Sequence, residues 1–177
     1  MFRADMLTWR CARFDDLSAR EVHDIFQARI SVFVLEQDCA FQDADGVDPL
    51  CWHLAGYELG PRLRGGEAAP EYRRIAAYAR LVPPGAKYSE PSIGRVLTTA
   101  GARGTGVGHE LMRESLAWME KLWPGRAIRI GAQEYLRDFY GEFGFSQSSE
   151  PYDEDGIIHI EMLRPASKVT TDPAIGP

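Results

Sequence analysis

Cysteines are few in this sequence, and a long apolar run is lacking. Three cysteines, Cys11, Cys39 and Cys51, are too few for a disulfide framework and predict free thiols in a reducing compartment. No apolar run approaches the roughly 20 residues that a membrane-spanning helix needs. Residues 1–5 lack the apolar core of a secretory signal. These absences predict a cytoplasmic protein that does not insert into a membrane.

Basic residues and histidine clusters are also scarce. Lys and Arg number 20 against 26 Asp and Glu, a formal net charge of −6, which argues against nucleic acid as a partner. The four histidines are scattered, so no zinc site is expected. Asp43, Asp45 and Asp48 lack the spacing and the closing glutamate of a calcium-binding EF-hand. The sequence therefore predicts no metal.

The chain has 177 residues, of which 45% are hydrophobic. This length and composition predict one domain over 1–164, and a flexible tail is expected over 165–177. A capping box at Ser18 and Glu21 starts a helix. Residues 74–82 alternate as a strand, and two strands, 145–150 and 157–163, are expected to pair around an acidic turn at 153–156. The helix is predicted to bury Val22, Ile25, Phe26, Ile30, Phe33 and Val34, and the 74–82 strand to place Ile75, Ala77, Ala79 and Leu81 on one face.

Glycines alternate in the stretch Arg103-Gly104-Thr105-Gly106-Val107-Gly108, between a strand-like run at 93–98 and a helix-like run at 109–122. Bare amides at a helix N-terminus favour an anion, so this turn predicts a phosphate-binding loop. A P-loop would continue with Lys and then Ser or Thr, whereas His109 and Glu110 follow here. The spacing also differs from GxGxxG. ATP and NAD are therefore disfavoured.

Four segments resemble known acyltransferases. The pattern formed by Arg103, Gly106 and Gly108 resembles the pyrophosphate loop of the GNAT superfamily, and residues 140–145 resemble its Tyr-x-x-x-Gly-Phe motif. Residues 33–45 and 152–159 are similar to signatures of the ElaA-like branch. The resemblance covers residues 9–162, with departures in a longer loop at 60–74, in the tail, and at Ala40, where proline is expected. It implies an α/β fold with a central, mixed, mostly antiparallel twisted sheet that is splayed at the cofactor site and flanked by helices.

The resemblance also implies where acetyl-CoA would bind. The backbone of Val96, Leu97 and Thr98 is expected to pair with the pantetheine arm, and the glycine loop, residues 103–108, with the pyrophosphate. Gln133 falls where many members place an asparagine that contacts CoA. Tyr140 is the expected general acid, because a phenol with a pKa of about 10 is protonated at neutral pH and can protonate a departing thiolate with a pKa of about 8.5. A structural role as a half-buried aromatic is the alternative for Tyr140.

The acceptor side is less determined by the motifs. Glu36, His53 and His159 are candidates for the base, with Glu36 placed first because the first helix borders the acceptor cleft in this superfamily. Asp45 and residues 153–155, among them Asp153, are expected as acidic lining. The acidic loop 38–48 is interpreted either as solvated or as a wall that attracts a cationic acceptor. Arg80 and Arg95 either form salt bridges with carboxylates such as Glu36 or Asp45, or bind an acidic group of the acceptor.

Three functions follow from these patterns. The first is transfer of an acetyl group from acetyl-CoA to a primary amine of a small molecule or peptide, by direct attack in a ternary complex. The second is an acyltransferase similar to acyl-homoserine-lactone synthases, which residues 33–36 and the following aspartates also resemble. The third is a CoA-binding module without turnover. A homodimer is left open.

Overall fold

Eight strands form one open sheet in the computed structural model, which describes residues 7–59 and 73–166. The strands are β1 Thr8–Arg13, β2 Trp52–Leu59, β3 Arg73–Val82, β4 Ser92–Thr98, β5 Ile128–Gln133, β6 Ser146–Gln147, β7 Tyr152–Glu154 and β8 Ile157–Arg164. Their order is β1-β2-β3-β4-β5-β8-β6, and β7 pairs with β8. Among the strands of the described residues, only the β4–β5 pair is parallel, so the predicted mixed, mostly antiparallel sheet is confirmed.

Helices cover both faces of the sheet. Helix α1, Ala19–Arg29, begins at the predicted capping box, in which the Glu21 amide donates to Ser18 and the Ser18 amide donates to Glu21. It continues as a π-helical segment, Ile30–Glu36. Helix α2, Val107–Leu122, packs on the opposite face, and α3, Arg137–Gly141, is short. The helices therefore enclose two apolar cores, one on each side of β3 and β4.

The buried face of the first helix differs from the predicted one. Ile25, Arg29 and Val32 face the sheet, whereas Ile30 is exposed. Its prediction on the apolar face was wrong, because Ile30 directly follows the α-helical residues 19–29 and, at about 100° per residue, lies about 140° around the helix from Ile25. The surprising member is Arg29, a charged residue on the face where an apolar one is expected.

A bulge in β3 breaks the predicted alternation of its side chains. Gly56 lies opposite Ala77 while Tyr57 lies opposite Ile75, so Ala76 is the extra residue. Ile75 packs with Tyr78 on the α1 side, and Ala77, Ala79 and Leu81 pack on the α2 side. The predicted grouping of Ile75 with the alanines was therefore wrong.

The C-terminal strands also differ from the sequence prediction. The predicted strand at 145–150 is reduced to β6, and Tyr152–Glu154 forms β7, which pairs with β8. Asp155 and Gly156, both at positive φ, make the tight turn of the β7–β8 hairpin. Of the predicted loop at 60–74, residues 60–72 lie outside the described residues and residues 73 and 74 belong to β3. Of the predicted tail at 165–177, residues 167–177 lie outside them.

The sheet opens between β4 and β5. A single residue pair, Ser92 with Arg129, joins the two strands, whereas β5 and β8 share six pairs. A second bulge lies beside this opening: two β4 residues, Arg95 and Val96, face one β3 residue between the pairs Tyr78–Leu97 and Arg80–Gly94. The splay expected at the cofactor site is thus present, and it creates the cleft described next.

Candidate active site

A cleft of about 590 Å³ occupies the opening between β4 and β5. Strand β4 supplies one wall, β5 and the short α3 supply the other, and the π-helical segment and the β7–β8 hairpin close the acceptor side. The sequence-predicted residues that line it are Glu36, Arg80, Arg95, Val96, Leu97, Thr98, Arg103, Gln133, Tyr140 and His159. The splay therefore brings most of the expected cofactor and acceptor residues into one space.

The glycine loop places free amides at the start of α2. Gly104 and Gly106 adopt φ of 71° and 88°, values that side-chain-bearing residues rarely take, and Gly106 is the N-cap of α2. The amides of 104–108 donate to no acceptor in the described chain, while the next two amides bond back to the Gly106 carbonyl. Orphan donors at a helix N-terminus suit a phosphate group. The donor set thus fits the pyrophosphate of CoA.

Arg103 reaches across the cleft mouth to Glu36. One guanidinium nitrogen, Nη1, donates to Oε1 of Glu36, and Nη2 donates to Oε2 at 3.0 Å. Arg103 also donates to the Thr98 carbonyl at 3.0 and 3.2 Å. The hydrogen bonds from Arg103 lower the pKa of Glu36 below its usual range, which makes this carboxylate a poorer proton acceptor. A residue expected to hold phosphate is therefore paired with the residue placed first as base.

Tyr140 is held in the cleft wall by the end of α3. The Phe145 amide donates to the Tyr140 carbonyl at 3.3 Å, and the Gly144 amide to the Gly141 carbonyl at 3.0 Å, with Gly144 at φ 82°. This is a Schellman motif, and it explains the spacing between the tyrosine and the following glycine. The Phe139 ring packs edge-on against Tyr140 with centroids 5.2 Å apart. Burial raises the pKa of Tyr140, so its hydroxyl keeps the proton at neutral pH.

His159 lies on β8, and one of its two ring nitrogens is hydrogen-bonded to the backbone. Its Nδ1 is 2.9 Å from the Ile157 carbonyl oxygen, which can only accept, so Nδ1 carries the proton and Nε2 has a free lone pair. The His159 ring stacks on Tyr152. In the sheet, the backbone of His159 pairs with Gln133 of β5. Gln133 itself donates to Gln37 at 3.2 Å and accepts from Tyr135 at 2.5 Å. The cleft thus holds a proton donor, Tyr140, and a proton acceptor, His159.

Three of the four aspartates of loop 38–48 are paired with arginines beneath the cleft. Arg29, fully buried, donates to Asp43 at 2.8 Å and to Asp48 at 2.6 Å. Arg80 donates to Asp45 at 2.7 and 2.8 Å and to Asp48 at 3.0 Å. Three arginines thus face three aspartates once Arg95 is included, and their charges cancel.

This pairing corrects both interpretations of the acidic loop. Burial opposes the ionisation of Asp45, but hydrogen bonds from Arg80 and from the Val47 amide outweigh it and lower its pKa below its usual range. Asp43 and Asp48 are buried. Asp43 and Asp48 are therefore neither solvated nor part of a free acidic wall, whereas Asp38 and Asp45 are exposed. Asp45 is bonded to the arginines and is not among the residues that line the cleft. For Arg80 and Arg95, the structure shows salt bridges, with Asp45 as predicted and not with Glu36.

His53 lies outside the cleft, contrary to its expected place at the acceptor site. It is buried, its Nε2 is 3.1 Å from the Asp48 carbonyl oxygen, and its Nδ1 is 2.8 Å from the Tyr78 hydroxyl. Because the carbonyl only accepts, Nε2 carries the proton and Nδ1 accepts from Tyr78. Burial lowers the pKa of His53, although the Asp48 carbonyl opposes this. The ring is a neutral member of the core.

Asp153 also points away from the cleft. Its carboxylate accepts from the Gly156 amide at 3.1 Å and so caps the hairpin turn. Side chains alternate along β7, and the neighbouring Glu154 lines the cleft together with Asp155 of the turn. The acidic lining expected from 153–155 is therefore supplied by two of its three members. Glu154 lies 4.0 Å from His159.

Sequence reasoning missed Arg29, Lys87 and the placement of Cys39. Arg29 is the hub of the buried ion pairs, and its one signal is a charge at an i+4 position of the apolar face of α1. Lys87 lines the cleft from the loop between β3 and β4, where no sequence pattern marks it. Cys39 also lines the cleft, and its thiol donates to the Asp155 carbonyl at 3.5 Å. Arg29 and Cys39 are placed by contacts with residues distant in the sequence, which no local pattern marks.

Among 7–59 and 73–166, no group of three or more His, Cys, Asp or Glu side chains is arranged to hold a metal ion. Cys11, Cys39 and Cys51 are free thiols. Within the same ranges, no helix combines the length and the apolar character that crossing a bilayer requires.

An open sheet splayed beside a glycine turn, with a tyrosine in the facing wall, defines a GNAT-type transferase. The family model described as "Acetyltransferase (GNAT) domain" matches residues 67–164. The Escherichia coli protein ElaA is 35% identical over 162 residues, which cover 90% of this chain and 97% of ElaA. The chain therefore belongs to the GNAT acetyltransferase family, in its ElaA-like branch, and is a transferase enzyme whose fold implies the use of acyl-CoA.

Solved structures agree with this assignment. The crystal structure of Escherichia coli ElaA matches with a TM-score of 0.77 and 34% identity, covering 90% of this chain and 99% of that one. A Pseudomonas aeruginosa acyl-CoA N-acyltransferase matches with a TM-score of 0.77 and 37% identity, covering 89% and 99%. The CoA-dependent acyl-homoserine lactone synthase MesI has a TM-score of 0.65 at 12% identity, covering 91% and 90%, a likeness in fold alone.

Proposed function

We propose that this protein transfers an acetyl group from acetyl-CoA to a primary amine by direct attack in a ternary complex. The observation that carries the proposal is one cleft lined by the β4 residues beside the bulge, by Arg103 and by Tyr140, with the free amides of 104–108 following directly after Arg103. Acetyl-CoA, when bound, supplies an acyl group activated as a thioester. The chain's own residues bind the donor, orient the amine and move two protons.

Donor binding is assigned to backbone and charge. The amides of the glycine loop and the Arg103 guanidinium would hold the pyrophosphate, and the backbone of Val96, Leu97 and Thr98 would hold the pantetheine arm. Gln133 lines the same wall. Because these contacts are mostly made by the backbone, they depend on the geometry of β4 and of the loop more than on side-chain identity.

Proton transfer is assigned to Tyr140 and His159. Tyr140, protonated at neutral pH, gives its proton to the departing sulfur. His159 takes the proton of the attacking amine at Nε2, since its Nδ1 is committed to the Ile157 carbonyl. Glu36, the first candidate from the sequence, is the poorer choice because Arg103 lowers its pKa. The exposed carboxylates Glu154 and Asp155 favour a cationic amine, small-molecule or peptide, at this end of the cleft.

The test is thiol release from acetyl-CoA in the presence of a panel of primary amines, for the natural protein and for Tyr140→Phe. Phenylalanine keeps the ring packing but removes the acid, so kcat should fall on the order of 100-fold while the Kd for CoA changes little. Release that is unchanged in Tyr140→Phe would remove Tyr140 from the mechanism. CoA binding without release for any amine would favour a binding module.

A further inference from the structure

Arg95 adopts a backbone conformation that its residue type disfavours. Its φ is +52°, in the left-handed region where a Cβ is strained and where glycine fits at no cost. It is one of the two β4 residues that make the bulge, and Val96, Leu97 and Thr98 follow directly. A strained residue at a bulge persists where its surroundings stabilise it. Contacts of the Arg95 side chain must therefore offset the free energy that the strained backbone costs.

Loop 38–48 supplies those contacts. Arg95 Nε donates to Asp43 Oδ1 at 2.7 Å, and Nη2 lies 3.3 Å from both the Asp43 carbonyl oxygen and Asp45 Oδ2. The guanidinium also lies 5.2 Å from the centre of the Phe41 ring. Asp43 is itself buried and bonded to Arg29. The loop is thereby fixed to α1 at one end of the network and to the bulge at the other.

We propose that Arg95 is a positioning residue for donor binding: its ion pairs with Asp43 and Asp45 hold the β4 bulge and so aim the backbone of 96–98 into the cleft. The inference rests on the proposed function, because it names what holds the strip that would pair with the pantetheine arm. It gives the acidic loop a role that is neither solvation nor acceptor binding. Loop 38–48 stabilises the β4 bulge through Arg95 and thereby supports the donor site.

The chain offers a matched control in Arg129. Its side chain is as exposed as that of Arg95, 21% in both, and it too bonds two carboxylates, Glu90 and Glu161, at 2.8 Å each. It lies on β5 away from any bulge and does not line the cleft, although its backbone forms the one pair with Ser92 of β4. Replacing either arginine by alanine leaves that backbone pair in place and removes hydrogen bonds to two carboxylates, of which Asp43 is the most buried. Of these two arginines, only Arg95 lies at the bulge next to residues 96–98, which would bind the pantetheine arm.

The experiment compares Arg95→Ala with Arg129→Ala by two readouts on the full chain: hydrogen exchange at the amides of 96–98 without ligand, and the Kd of CoA by calorimetry. We expect Arg95→Ala to speed exchange at 96–98 and to weaken CoA binding, each about tenfold, because aligned donors lose their orientation. Arg129→Ala should change neither more than about twofold. Arg95→Lys, which keeps the charge, should recover part of both losses.

A third variant separates positioning from stability. Arg95→Gly relieves the φ strain, so its melting temperature should exceed that of Arg95→Ala while its CoA affinity stays low. Affinity that follows melting temperature across Ala, Gly and Lys would overturn the proposal, as would exchange at 96–98 that stays within twofold of the natural protein. If the natural protein does not bind CoA, the proposed function fails and the exchange readout still decides the role of Arg95.

Discussion

Removing the charge of Glu36 should strengthen the binding of CoA. In the structure, Glu36 occupies the Arg103 guanidinium that would bind the pyrophosphate, so an incoming diphosphate must displace it. The two side chains are 43% and 42% exposed, and exposed ion pairs contribute about 0.2–1 kcal/mol. At about 1.4 kcal/mol per factor of ten, Glu36→Gln should tighten CoA binding between about 1.4-fold and fivefold.

Calorimetric titration of CoA measures the change. Because CoA is polyanionic, loss of any negative charge would favour it slightly, and Glu150→Gln, at an exposed position, serves as the charge-matched control. The gain should exceed that of the control and shrink at higher ionic strength. Weaker binding by Glu36→Gln would show that Glu36 organises Arg103 for the ligand instead of competing for it.

The same variant bears on the base. If His159 accepts the amine proton, Glu36→Gln should retain kcat within a few-fold, whereas His159→Gln should lower it on the order of 100-fold. The reverse pattern would restore Glu36 as the base.

Two further predictions concern stability. Asp43→Ala leaves the fully buried Arg29 with one carboxylate and should lower the free energy of unfolding by about 3–5 kcal/mol. The control Asp138→Ala, at a side chain that is 96% exposed, should lower it by less than about 0.5 kcal/mol. Chemical denaturation checks both values, and a loss below about 1 kcal/mol for Asp43→Ala would contradict the prediction. Burial lowers the native pKa of His53, so the unfolded chain binds its proton first and stability should fall as pH drops below about 6.5. Unfolding free energies at pH 7 and pH 5 measure this decline, and an equal decline in His53→Asn would assign it to other groups.

The donor side of the cleft could be predicted from the sequence because its signals are local. Alternating glycines before a helix require only neighbouring residues to form an anion site, and the spacing of Tyr140 to Gly144 and Phe145 is the signature of one Schellman motif. The capping box at Ser18 is equally local. Each of these features is determined within about six residues of chain.

The acceptor side could not be predicted in the same way, because its residues are placed by irregularities and by long-range pairs. The β3 bulge moved Ile75 to the other face, and the alternation along β7 turned Asp153 away while Glu154 faced the cleft. The pairing of Arg29 with Asp43 spans 14 residues, and that of Arg95 spans 52. Which carboxylate meets which arginine depends on the finished sheet. His53 was misplaced for the same reason, since its partners are brought together by folding.

In the proposed complex, the glycine-loop amides bind the pyrophosphate of CoA and Tyr140 lies beside the sulfur of the same molecule. A crystal structure of the protein with CoA bound tests it directly. We expect pyrophosphate oxygens that accept hydrogen bonds from the amides of 104–108, Arg103 released from Glu36, and the CoA sulfur beside the Tyr140 hydroxyl. A diphosphate bound elsewhere, or a sulfur remote from Tyr140, would contradict it.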